Sequence, residues 1–325
     1  MKKNVAIIYG GFSGERIISE RSAKVVKAYL NPELYAAHLI DINKTAWEFA
    51  DGDQRQVIDK NDFTVIYNNQ RIVFDGVFCA IHGSPGEDGK IQGYFDMIGI
   101  PYNNCGVLAS SITFDKAACN RYLKASGVNV AESFIARLGN EYDLKAIVAK
   151  VGLPCFVKPN DGGSSIGVSK VKRVEDLNAA ITNAQQEGVD ALIESLLEGT
   201  EVSCGCVIRN SIPTAIGVTE IVPGNEFFDF ESKYEHAGTQ EITPARISKE
   251  KYIEVQEITE SIYSWLHCKG MIRVDYMICS DGIYLIEVNT TPGLSEASII
   301  PQQAKHYGLT LGEFFDSAVA EIFRS

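Results

Sequence analysis

Short apolar runs that stop at glycine alternate with helical repeats from one end of the chain to the other, which restricts the fold to layered α/β or α+β architectures. The first run, VAIIYGG, reads as a buried strand entering a glycine turn, and SAKVVKAYL behind it reads as a helix ending before Asn31-Pro32. A second buried strand, GVFCAIHG, runs into the glycine-rich loop SPGEDGK. Past Phe114 the pattern changes: DKAACNRYLKASG is a helix with Gly127 placed to cap it, and YDLKAIVAKVG carries Leu144, Ile147, Val148 and Val151 on one face. PCFVKP, GGSSIG and VSKV then make a strand, a tight turn and a second strand, followed by a helix with Val174, Leu177 and Ile181 aligned. The last region opens with the strands ALIES and VSCGCVI and, after a helix ending at Trp265, closes with MIRVDYMI, IYLIEVN and a terminal helix announced by the Thr310/Glu313 capping box. Between them the polar stretch from Pro223 to Arg246 exceeds the ~15 residues of an ordinary loop, so it is either disordered or a functional lid.

Composition narrows the function. A chain of 325 residues with 45% hydrophobic content supports two or three domains of ~100–200 residues each, and no repeat is visible. Thirty basic residues against 42 acidic ones leave a formal net charge of −12, which argues against nucleic acid or an anionic membrane as partner. Any polyanion must therefore meet a local basic cluster. The opening MKKNVAIIYGG is too short an apolar run for a signal peptide, and no stretch approaches the ~20 residues of a membrane helix. The eight cysteines form no CxxC pair or zinc spacing and read as buried thiols of a reduced, cytoplasmic protein.

The most informative segment runs from Arg273 to Asn289. If Ser280, Asp281 and Gly282 form a three-residue turn with Gly282 left-handed, Cys279 pairs with Ile283, Asp275 with Glu287 and Arg273 with Asn289, and all four polar side chains share one face. A two-residue Asp281-Gly282 turn would instead pair Asp275 with Val288, which the alternation of Ile272, Val274, Tyr276 and Ile278 disfavours. Two facing carboxylates plus an amide oxygen suit Mg²⁺ or Mn²⁺ shared with phosphates, the alternative being a solvated strand face. Facing acids without a cation repel by up to ~1 kcal/mol.

Phosphate recognition must come from elsewhere than a P-loop. In GSPGEDGKI, Ser84 stands where the first glycine belongs and Ile91 where Ser or Thr belongs, and GGFSG lacks the GxGxxG spacing of a dinucleotide fold. A dehydrogenase is correspondingly disfavoured. Lys158 ends a strand that leads into the small-residue turn NDGGSSIG, whose amides can approach phosphate, and Lys116 adds a second base at a helix start. Two lysines, a carboxylate pair and a glycine hairpin describe ATP-Mg²⁺ chemistry without a P-loop.

These residues resemble the D-alanine:D-alanine ligases of the ATP-grasp superfamily. The resemblance runs in order through YGGFSGERIIS, AIHGSPGEDGKIQGYFDMIGIPY, GVLASSITFDK, FVKPNDGGSSIGVSKV, LIESLLEGTEVS, SKY, RVDYMI and IEVNTTPGLSEASIIP. It implies an α/β and α+β, three-domain ATP-grasp fold with an N-terminal Rossmann-like (preATP-grasp) domain, here 1–104, 105–194 and 195–325, with a lid at 223–246. By resemblance Lys116 and Lys158 contact ATP phosphates, the turn bearing Gly163, Ser164 and Ser165 covers them, Glu194, Ser195, Leu196 and Leu197 line the adenine pocket, and Ile286 belongs to the cofactor-binding set. Glu201 holds the ribose, and Asp275, Glu287 and Asn289 hold two Mg²⁺ or Mn²⁺. Glu15 receives the first D-alanine's ammonium, with His82 beside it; Arg273 and the Gly293 amide stabilise the oxyanion, and Ser298 binds the second carboxylate. Glu15, Ser164 and Tyr234 form a trio that fastens the lid, with Lys233 beside the transferred phosphate.

The implied reaction is ATP-dependent formation of D-alanyl-D-alanine through an acyl phosphate, for peptidoglycan precursor synthesis, by a cytoplasmic enzyme that tends toward homodimers. An intact Lys233-Tyr234 pair favours an amine acceptor over D-lactate. The remaining alternatives are a D-alanine:D-lactate or other ATP-grasp carboxylate–amine ligase and a non-catalytic nucleotide-binding module. The chain departs from common family forms at Arg16, where His is frequent, at Ser195, where Lys is frequent, and at Ile299, where Leu is frequent.

Overall fold

A computed structural model describes residues 2–162, 167–187, 190–224 and 238–324. The chain opens with β1 (Lys3–Gly10), whose residues from Val5 onward are all buried, as a strand covered on both faces requires. Its glycine turn delivers the chain to α1 (Arg16–Tyr29), which buries Ser19, Ser22, Ala23 and Val26 along one stripe. Then follow β2 (Tyr35–Ile42), β3 (Trp47–Asp51), β4 (Gln54–Val57), the small hairpin β5 (Thr64–Tyr67) and β6 (Gln70–Val73), and β7 (Gly76–Cys79). They build a five-stranded sheet in the order β4-β3-β2-β1-β7, parallel at β2-β1-β7 and antiparallel beyond.

The helices α2 (Lys90–Ile98), α3 (Val107–Phe114) and α4 (Lys116–Ala125) lead into β8 (Asn129–Val130) and β9 (Ser133–Ala136). At the end of α4, Gly127 lies at φ +95°, with its N–H on Lys124 O and that of Val128 on Leu123 O, the cap expected there. Next come α5 (Leu144–Val151), β10 (Cys155–Pro159), β11 (Ser169–Val171), α6 (Val174–Glu187) and β12 (Ala191–Ser195). The order β11-β10-β12-β9 makes a four-stranded antiparallel sheet, and the β10–β11 hairpin pairs Cys155 with Val171 and Phe156 with Lys170. Its Ile147, Val157, Leu177 and Ile193 form a core under α5 and α6.

The strands β13 (Thr200–Arg209), β14 (Ile212–Val222), β15 (Gln240–Ile242), β16 (Met271–Ile278) and β17 (Ile283–Asn289) form, with β8, a six-stranded sheet ordered β15-β14-β13-β16-β17-β8. The helix α7 (Lys249–Trp265) packs on one face together with α3 and α4, placing Cys105, Leu123, Val274 and Tyr276 in one core. The last helices, α8 (Ile299–His306) and α9 (Leu311–Ile322), return to the N-terminal sheet, where Phe314 and Phe315 meet Val5, Ile7 and Phe78. At the start of α9 the Thr310/Glu313 capping box is present.

The β16–β17 register corrects one expectation while keeping its consequence. Arg273 pairs with Asn289 and Asp275 with Glu287, but Ile278, not Cys279, pairs with Ile283, and Gly282 is not left-handed. The turn is tighter than expected, with Cys279 N–H on Gly282 O at 2.8 Å. A bulge between Asp275 and Tyr276, opposite Ile286, takes up the one-residue difference. The sequence pattern also left α2, α3 and β2–β6 unassigned. In α3 the buried residues are Ala109, Ser110 and Thr113, too small and polar to mark a helix by periodicity.

Candidate active site

A cavity of about 1170 Å³ opens between the four-stranded and six-stranded sheets, beside the loops that follow β1 and β7. Every described residue singled out from the sequence lines it: Glu15, His82, Lys116, Lys158, Glu194, Ser195, Leu196, Leu197, Glu201, Arg273, Asp275, Ile286, Glu287, Asn289, Gly293 and Ser298. Gly163, Ser164, Ser165, Lys233 and Tyr234, with most of the expected lid, lie outside the described residues.

On the six-stranded sheet the hairpin forms a polar ladder. Arg273 donates from Nε to Asp275 Oδ1 at 2.8 Å and from Nη2 to Oδ2 at 2.7 Å, a bidentate pair, and its Nη2 lies 3.8 Å from Glu287 Oε1. Ser203 Oγ, across the sheet on β13, donates to Asp275 Oδ1 at 2.6 Å. Asn289 Nδ2 stands between the carboxylates, 3.2 Å from Asp275 Oδ2 and 3.4 Å from Glu287 Oε1. Asp275 is 6% exposed, and four donors therefore satisfy a carboxylate otherwise costly to bury. Two carboxylates and an amide are the hard-oxygen set that Mg²⁺ or Mn²⁺ requires, so the residues fit such an ion. Among the described residues no group of three His, Cys, Asp or Glu side chains forms an alternative site.

The four-stranded sheet and the start of α4 supply the cations. Lys158 Nζ lies 2.5 Å from Glu194 Oε2, and Glu194 Oε1 accepts from Asn120 Nδ2 at 2.9 Å. Lys116 opens α4 behind the Asp115 cap and donates from Nζ to the Gly162 carbonyl at the edge of the glycine turn. Ser195 stands at the cavity edge, its N–H on Glu132 O at 2.9 Å.

The third wall belongs to the N-terminal sheet. Glu15 occupies the N-cap of α1, and Ser13 Oγ approaches its Oε2 at 3.5 Å while also donating to His82 O. Gly83 lies at φ +69°, and a β-carbon there would stand 3.0 Å from Glu15 Oε2, so glycine lets the carboxylate and the loop approach. The His82 imidazole is engaged at both nitrogens: Nδ1 donates to Thr291 O at 2.9 Å and Nε2 meets Ser22 Oγ at 3.2 Å. Burial holds its pKa below the ordinary range, so the ring stays neutral and ties the 82–87 loop to the segment carrying Gly293. Gly293 in turn lies against Ser298, the N-cap of α8; a β-carbon at Gly293 would stand 3.0 Å from Ser298 Oγ.

Among the cavity residues that sequence reasoning missed are Ser203, Lys170 and Glu87. Ser203 is visible only through the β13–β16 register, and Lys170 only through its place opposite Phe156. Glu87 stood in the SPGEDG loop, where an acid between glycines was the available signal. Its carboxyl is pushed up to about 8, first by burial and then by the neighbouring Glu15 charge.

An antiparallel four-stranded sheet and a mainly antiparallel six-stranded one closing on one cavity, with a mixed N-terminal sheet at its side, define an ATP-grasp ligase. The VanG D-Ala:D-Ser ligase from Enterococcus faecalis superposes with a TM-score of 0.88 at 30% identity, covering 99% of this chain and 100% of that one. The Bacillus anthracis D-alanine–D-alanine ligase, solved in complex with ATP, shares the fold at a TM-score of 0.78 and 24% identity, with 99% and 97% covered. The family model for the D-ala D-ala ligase N-terminus matches residues 4–105, and that for the C-terminus matches 123–320. A D-alanine–D-alanine ligase from Bacteroides fragilis is 45% identical over 326 aligned positions, covering 99% of this chain and 100% of the relative. The chain belongs to the D-alanine–D-alanine ligase family.

Proposed function

We propose that the protein joins two D-alanines into D-alanyl-D-alanine, coupled to cleavage of ATP to ADP and phosphate, as a step toward peptidoglycan precursors. The observation that carries this reading is the Arg273–Asp275–Glu287–Asn289 ladder facing the same cavity as Lys116, Lys158 and Glu15. ATP phosphorylates the carboxylate of the first D-alanine, and the amine of the second attacks the acyl phosphate and expels phosphate. The work of the protein is positioning and charge neutralisation, as in other phosphoryl transfers.

In this reading Lys116 and Lys158 meet the phosphates, with the turn bearing Gly163, Ser164 and Ser165 over them. Glu194 through Leu197 and Ile286 line the adenine side, and Glu201 takes the ribose. Glu15 anchors the first ammonium beside His82, and Arg273 with the Gly293 amide faces the developing oxyanion. Ser298, at the N-cap of α8, takes the acceptor carboxylate, helped by the positive end of that helix. Glu15, Ser164, Tyr234 and Lys233 close the site. Asp275, Glu287 and Asn289 would hold two Mg²⁺ or Mn²⁺, which would offset phosphate charge during transfer.

The division at 104 and 194, a homodimeric assembly and a cytoplasmic location belong to the same reading. The match of the N-terminal family model, which ends at residue 105, supports the first boundary. Among the described residues no helix is long and apolar enough to cross a membrane. The test offers D-alanine, L-alanine, D-serine and D-lactate singly and in pairs with ATP and Mg²⁺, reading phosphate release and product mass. D-alanine alone should release phosphate and give the dipeptide. Release only when D-lactate or D-serine is added would reassign the acceptor, and none with any of them would reject the ligase.

A further inference from the structure

The reaction brings two ammonium groups into the cavity. One must stay charged and bound, and the other must lose a proton before its nitrogen can attack. The N-terminal wall offers two carboxyls that converge on one residue. The Gly83 N–H donates to Glu87 Oε2 at 2.8 Å, while the bare α-carbon of Gly83 makes room for Glu15 Oε2.

Glu87 is carried by a braced turn. Gly86 N–H and Glu87 N–H both reach Gly83 O, at 2.8 and 2.9 Å, and the Gly86 carbonyl accepts from Gln92 Nε2 at 2.6 Å and Asn104 Nδ2 at 3.2 Å. With Oε2 held by Gly83, Oε1 has no hydrogen-bond partner among the described residues, and the side chain lines the cavity. The charged groups acting on it are Glu15 from the start of α1, Glu287 from β17 and Lys116 from α4; His82 on the same loop is neutral.

We propose that Glu87 takes the proton from the acceptor's ammonium, and so is the catalytic base of amide formation. This deepens the ligase reading above and rests on it. The ionised carboxylate removes one proton, leaving a neutral amine and a protonated Glu87. The nitrogen lone pair forms the C–N bond at the acyl carbon. The tetrahedral intermediate then breaks its C–O bond to phosphate, and phosphate leaves with that electron pair and accepts the second nitrogen proton. Glu87 returns its proton to solvent as the products depart, so the cycle balances with one proton released. A carboxyl titrating near 8 is matched to this task, being ionised enough to accept the proton and basic enough to hold it.

The test separates phosphorylation from attack. Hydroxylamine, uncharged at neutral pH, captures an acyl phosphate without needing deprotonation. With ATP, Mg²⁺ and D-alanine, Glu87→Gln should lower dipeptide formation about 100-fold or more while D-alanine hydroxamate forms at close to the wild-type rate. Wild-type ligation should rise with pH and level off near 8, whereas the residual Glu87→Gln rate should keep climbing as free amine accumulates. Equal loss of both products, or loss of neither, overturns the proposal. Failure of the wild-type protein to form hydroxamate would instead strike the acyl phosphate reading. Should Glu87→Gln not fold, Glu87→Asp decides: a levelling pH profile at reduced rate supports the base, and a profile that keeps climbing rejects it.

Discussion

The four-stranded sheet turns toward the cavity Lys170 together with a lysine and a glutamate that pair with each other, Lys158 and Glu194, over a core backed, among the described residues, by α5 and α6. The six-stranded sheet turns toward it one arginine against two carboxylates and an amide, so its ladder retains a net negative charge. It is also backed on both faces, by α3, α4 and α7 on one side and α8 on the other. Gln303 of α8 is fully buried there. Its Oε1 accepts the Gly205 N–H opposite a bulge of β14 at Ile216, and its Nε2 reaches Ser203 O and Thr219 Oγ1. Ser203 is the residue that donates to Asp275, so the acid ladder is braced through two layers while Lys158 rests on one partner. The difference teaches where precision is invested. On the proposed reading, the groups that would hold a cation at fixed distances sit on the doubly covered sheet, and the point charge that would meet phosphate sits on the thinner one.

Glu287→Gln should give the largest effect, lowering ADP release about 100- to 1,000-fold without changing the melting curve, because on the proposed reading it would weaken a multi-kcal/mol cation contact. Near-normal turnover at saturating Mg²⁺ would remove the carboxylate ladder from the chemistry. Gln303→Ala removes the side-chain hydrogen bonds to the Gly205 N–H, the Ser203 carbonyl and Thr219 Oγ1 and opens a void, so chemical denaturation should show a loss of about 3 kcal/mol. A loss below about 1 kcal/mol would mean that the second layer does not brace the sheet. Lys158→Ala should raise the Kd for ATP about tenfold, the worth of one charged hydrogen bond, and also lower stability, because the buried Glu194 loses its counter-charge. A greater effect on folding than on ATP binding would invert the comparison. Thr310→Ala lies outside both sheets and serves as the control: it should cost about 1 kcal/mol through the lost helix cap and leave ligation kinetics unchanged.

Local signals in the chain sufficed for the strands with unbroken apolar runs and for the capped helices. VAIIYG, PCFVKP and MIRVDYMI, with Gly127 and Thr310 as caps, carry their conformations in patterns that span one element. The strands β2 to β6 were not legible because their exposed and part-buried residues mix polar with apolar on both faces. Among the site residues, Asp275 and Glu287 were found together by counting along the hairpin, although the chain reaches that pairing by a tighter turn and a bulge at Ile286.

What the sequence by itself determined is which charged and polar groups to look for, namely those proposed above for phosphate, metal and amino acid, and their order along the chain, since each sits in a short motif. Only the tertiary structure decided which of them meet. Ser203 reaches Asp275 across 72 residues, Gly83 seats both Glu15 and Glu87, and His82 spends both ring nitrogens on the frame. Burial keeps His82 neutral against the pull of the Glu15 charge, and burial with that same charge raises the pKa of Glu87. Both are properties of the packed molecule, because the low-dielectric surroundings and the nearby carboxylate exist only once distant segments have closed on the same cavity.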